Sequence, residues 1–96
     1  MNNIFDKDTD ILFETIAKIN KKSDCIAFFK DLCTIKEIKD MSKRFKAANM
    51  LSGGYNYNEI IKETGISSAT LARVNEALQY GSGGYEMQIS KAKRGK

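Results

Sequence analysis

The chain has 96 residues, is 42% hydrophobic with four tyrosines and five phenylalanines, and carries 16 bases against 12 acids for a net charge of +4. That length supports one compact domain with a thin core, which pairing with a second chain is a common way to enlarge. There is no histidine, which removes the commonest general base and metal ligand and rules out Ser–His and Cys–His nucleophiles, so no enzyme is expected.

The charge is unevenly placed. Residues 1–34 hold five bases and six acids, and residues 35–88 hold seven bases and six acids, so the excess comes from Lys91, Lys93, Arg94 and Lys96. A basic tail of this kind permits nucleic-acid binding without demanding it. Cys25 and Cys33 read as small core residues, and two thiols without histidine imply neither a metal site nor a cofactor. The N-terminal MNNIFDKDTD is acidic, unlike a secretion signal, and no apolar run has the length of a membrane span. The expectation is a cytoplasmic protein with no membrane partner.

Helical spacing runs through the whole chain, with no alternating strand pattern. In the first segment Ile11, Leu12, Ile16 and Ile19 form a stripe that Phe13 and Ala17 widen, with acids from Asp6 to Asp10 at its start and Lys18, Lys21 and Lys22 at its end. Ser23 then caps a short second helix, DCIAFFKDLC, whose apolar residues spread over more than one face. Thr34 and Glu37 have capping-box spacing. The third helix follows them, with Ile38, Met41, Phe45, Ala48 and Leu51 in a stripe and Gly53-Gly54 as its stop. Asn56 and Glu59 offer another capping box for a short helix ending near Thr64, with Tyr55 and Tyr57 read as packing residues. Gly65 breaks that helix. Ser67 caps a fifth one, with Leu71, Val74 and Leu78 facing inward. The outcome is an all-α fold of five short helices, a single domain over residues 1–80, and a Gly-rich, basic, loose tail over 81–96.

The stretch IIKETGISSATLARV meets the needs of a helix-turn-helix over residues 56–79. A glycine can take the left-handed conformation of the tight turn, and Ile60, Ile66, Leu71 and Val74 hold the two helices together. Two positions fit less well: Ile61 stands where a small residue eases close approach, and Thr64 where an apolar one is common. Ser67, Ser68, Ala69 and Thr70 then start a helix suited to entering a major groove. The same residues also suit a plain helical hairpin with a serine cap.

From Leu32 to Leu78 the chain resembles the tryptophan-repressor superfamily and its small YerC/YecD-type members. The runs that carry this are LCTIKEIKDMSKRFKAANML and, after the glycine turn, YNEIIKETGISSATLARVNEAL. The resemblance implies an intertwined, all-helical homodimer that binds double-stranded DNA. In that family two arginines and a threonine hold tryptophan, and the matching positions are Arg44, Arg73 and Thr34. Two departures bear on this pocket. Val74 replaces a glycine and narrows the slot, and Ala77 replaces the serine that helps hold the ligand's amino group. The residue two beyond the Ala-Thr pair is also changed, from threonine to Ala72, so a phosphate contact differs. Arg44 and Arg73 are therefore read first as ordinary solvated or DNA-facing bases.

The expected function is a homodimeric, sequence-specific transcriptional regulator, in the manner of a repressor. Ser68, Ala69 and Thr70 would lie at bases, with Ser67, Arg73, Arg44, Lys43 and Lys46 at phosphates. Two alternatives stay open: a dimeric protein-interaction module that keeps the fold without operator binding, and an amino-acid-responsive repressor. The sequence names no effector.

Overall fold

The computed structural model describes residues 5–94, the side chain of Arg94 excepted. Among them lie six helices and no strand: α1 (Lys7–Ala17), α2 (Lys22–Leu32), α3 (Ile35–Ser52), α4 (Tyr57–Thr64), α5 (Ser68–Tyr80) and α6 (Gly84–Arg94). They form two compact units, one ending at Ile38 and the other beginning at Lys39.

In the first unit, α1 opens on a capping box in which the Asp6 carboxylate accepts from the Thr9 amide at 2.9 Å and the Asp6 amide donates to the Thr9 hydroxyl at 2.8 Å. The carboxyl of Asp6 is held below its ordinary 3.8, chiefly by the Thr9 backbone hydrogen bond and then by the Thr9 hydroxyl. The second helix starts earlier than expected. Lys21 is its N-cap, with no side-chain cap bond, so Ser23 lies inside the first turn. Asp24 in that turn favours the start by offsetting the positive end of the helix dipole. Neither α1 nor α2 buries a residue.

The start of α3 follows the spacing of its sequence: the Glu37 amide donates to the Thr34 hydroxyl at 3.1 Å, and Glu37 Oε1 accepts from the Thr34 amide at 2.8 Å. In the second unit, Ala47, Ala48, Ile60, Ile66, Leu71, Val74 and Ile89 form the core, with Met50, Leu51, Ile61, Leu78 and Tyr85 packed against it. The two alanines have no side chain beyond Cβ, so α3 adds only small groups to this core at those positions. Met41 and Phe45, expected in the inward stripe, remain partly exposed. Tyr55 and Tyr57 are likewise exposed rather than packed. Tyr55 lies in the turn after α3, and Tyr57 opens the first turn of α4.

The largest departure from expectation is α6, which turns five helices into six. It occupies the stretch read as loose tail, of which residues 95–96 lie outside the described residues. Three glycines in Gly81–Gly84 suggest the end of ordered chain. Gly83 instead takes φ 87 and turns the backbone into a new helix. Tyr85 and Ile89, four residues apart and so on one face, supply its inward side. Tyr85 stacks on Phe45 with ring centroids 6.3 Å apart and planes inclined by 22°, and α5 packs on α6.

Candidate nucleic-acid interface

The turn between α4 and α5 is built from local chemistry. A capping box starts α4: Asn56 Oδ1 accepts from the Glu59 amide, and Glu59 Oε1 accepts from the Asn56 amide, both at 2.9 Å. Gly65 ends the helix at φ 76 and ψ 7, and its amide donates to the Ile61 carbonyl at 2.8 Å. That left-handed conformation costs an L-residue with a Cβ about 1–2 kcal/mol. Thr64, at a position expected to be apolar, is buried. Its hydroxyl donates to the Ile60 carbonyl at 2.7 Å and accepts from the Ile66 amide at 3.3 Å. The hydroxyl thereby satisfies a backbone donor that the turn leaves without a helical partner. Ile66 then enters the core.

Ser67 caps α5. Its Oγ accepts from the Thr70 amide at 3.1 Å and shares a hydrogen bond with Thr70 Oγ1 at 3.0 Å. Leu71 and Val74 are buried, whereas Ser68, Ala69, Ala72 and Arg73 are exposed. Burial on one side leaves the first two turns of α5 with a surface of small side chains and one guanidinium. Of the bases expected to serve the same surface, Lys43 is exposed and Arg44 half-buried on α3. Lys46 has a partner that sequence reading missed: its Nζ lies 3.1 Å from Glu63 Oε2. The pair is 17 residues apart and no helical spacing announces it.

The residues matched to a tryptophan pocket fare differently from one another. Arg44 and Arg73 belong to the second unit, and Thr34 to the first, where its hydroxyl caps α3. Val74, the residue expected to narrow the slot, is 2% exposed. One cleft of about 420 Å³ is lined by Ala77, Ser82, Gly84, Tyr85 and Gln88, and another of about 250 Å³ by Leu51, Ser52, Leu78, Gln79 and Glu86. Neither is lined by Arg44 or Arg73.

A short first helix, a left-handed glycine and a serine-capped second helix with an exposed outer face make up a helix-turn-helix arrangement. The family model for the Trp repressor protein matches residues 7–93. The chain belongs to the Trp repressor protein family. An uncharacterized member from Bacillus subtilis (strain 168), YerC, is 42% identical over 87 residues, which span 91% of this chain and 84% of that relative. Among solved structures, one described as a candidate Trp repressor from Staphylococcus aureus superposes with a TM-score of 0.88 at 37% identity, covering 94% of this chain and 90% of that one. A TrpR-like protein from Eubacterium eligens ATCC 27750 gives 0.87 at 36% identity, covering 92% and 91%. Family and fold are those of regulators. The all-α expectation holds, with the match reaching into α6. Among the described residues no helix is long and apolar enough to cross a membrane.

Proposed function

We propose that this chain is a sequence-specific, DNA-binding transcriptional regulator that works in the cytoplasm as a homodimer and represses by occupying its operator. The observation that carries the reading is the α4–Gly65–α5 unit, in which Leu71 and Val74 are buried while Ser68, Ala69 and Arg73 stay exposed. Ser68, Ala69 and Thr70 approach base edges in a major groove. Ser67, Lys43, Arg44 and Arg73 serve the phosphates, where each neutralised phosphate adds about 0.9 to the salt slope of the binding constant. Exposed Ile11, Phe13, Ile26 and Leu32 support pairing, because an apolar surface of this kind is what a second copy covers. Two heads related by a two-fold axis then meet two half-sites of a palindromic operator.

The test is selection of duplexes from a random pool followed by titration across salt concentrations. Arg73→Ala is expected to weaken binding to every selected duplex and to lower the slope by roughly 1.8 per dimer. A protein that binds no duplex at low salt is not a DNA-binding regulator. Sedimentation reads the dimer separately, and a stable folded monomer at micromolar concentration refutes it. Tryptophan titrated calorimetrically into the protein should produce no binding heat, since Val74 and Ala77 stand where the family's pocket has a glycine and a serine. Saturable heat would favour the amino-acid-responsive reading instead.

A further inference from the structure

The Lys46–Glu63 pair changes what α3 and α4 bring to DNA. Lys46 lies on α3 and Glu63 in the last turn of α4, two residues before Gly65 and four before the Ser67 cap. Their charged atoms meet at 3.1 Å, with the side chains 52% and 58% exposed. Along the chain the acid thus comes just before the turn that presents the N-terminus of α5, the end whose unpaired amides favour anions. Left bare, Glu63 would oppose the approach of a phosphate to that same end. Bonded to Lys46, it is neutralised, but the lysine charge is used in doing so.

We infer that Lys46 and Glu63 act as one neutral unit at the edge of the DNA-binding surface, so that Lys46 makes no phosphate contact and Glu63 holds the affinity down. This rests on the helix-turn-helix reading above. Lys46 is then a positioning residue for the Glu63 carboxylate, unlike Lys43 and Arg44, whose charge remains available. Removing the carboxylate releases the Lys46 charge. Because a half-exposed pair adds little to folding stability, the effect belongs to DNA affinity and not to the fold.

The test uses duplexes selected by the unaltered protein and four proteins: that one, Lys46→Met, Glu63→Gln and the double variant. The salt slope should be the same for the unaltered protein and Lys46→Met. Glu63→Gln should bind about fivefold tighter per protomer at low salt and steepen the slope by roughly 1.8 per dimer, as one added phosphate contact per protomer requires. The double variant should return to the original slope. A Lys46→Met protein whose slope falls by that amount with Glu63 intact overturns the inference, because Lys46 is then already on a phosphate. A Glu63→Gln protein with unchanged affinity and slope overturns it as well. Absence of duplex binding by the unaltered protein rejects the DNA-binding reading itself, and the inference with it.

Discussion

The stretch up to Ile38 and the stretch from Lys39 onward are both helical and both rich in apolar residues, yet they use them differently. The second closes a core around Ile60 and Leu71, each with no exposed surface. The first buries nothing in α1 or α2, and leaves Ile11 54% and Phe13 52% exposed. Amphipathic spacing says that a face must be covered, not by what. From α3 to α6 the same chain supplies the cover, through Ala47 and Ala48 on one helix and Ile89 on another. For α1 and α2 the proposed second copy supplies it. The second stretch folds around itself, whereas α1 and α2 keep apolar side chains such as Ile11 and Phe13 exposed.

The sharpest way to break this contrast is to compare substitutions in the two stretches. Leu71→Ala removes a fully buried side chain, and is expected to cost about 2–5 kcal/mol in urea unfolding, with α4 and α5 losing their amide protection together. Thr64→Val keeps the shape but leaves the Ile66 amide without its acceptor. The cost is about 1–3 kcal/mol, read by the same unfolding curve, while Thr64→Ser retains most of the stability because it keeps the hydroxyl. In the first unit, Ile11→Ser should change the stability of the dilute chain by within about 0.5 kcal/mol, as surface substitutions do. At higher concentration it should lower the dimer fraction seen in sedimentation. Equal costs for Ile11→Ser and Leu71→Ala in the dilute chain would erase the distinction between the two stretches.

The smallest effect is a pH dependence confined to α1. Folding depresses the pKa of Asp6 below 3.8, so the cap's contribution is fully present above 3.8 and is lost as pH falls through the lower folded value. The Thr9 amide resonance should titrate in that acidic window in the native protein. In Asp6→Asn, which keeps an acceptor but no ionisable group, it should not. An Asp6→Asn protein with the same titration would place the effect elsewhere.

Much of the candidate site could be read directly from the chain because its chemistry is local. Thr34 with Glu37, Asn56 with Glu59, and Ser67 with the Thr70 amide are contacts at a spacing of three residues. Side chains at that spacing meet whenever a helix starts there, whatever packs around it. Gly65 is legible for the same reason, since its φ of 76 is a property of one residue and its neighbours. Ser23 shows the limit of such signals. A serine before an apolar run suits a cap, but Asp24 in the first turn and an extended Lys21 put the start of α2 two residues earlier.

By itself, then, the sequence determined the all-helical class, the caps of α3, α4 and α5, and the glycine turn that presents Ser67 through Arg73. Each depends on hydrogen bonds and dihedrals within a few residues. Only the tertiary structure decided that Thr64 is buried with its hydroxyl closing the turn, and that Tyr55 and Tyr57 stay in solvent. It alone ordered α6 through the Tyr85–Phe45 stack and the burial of Ile89, and joined Lys46 to Glu63. These last contacts link residues separated by 17 positions or more, and their geometry is set by how helices pack, which no local spacing encodes.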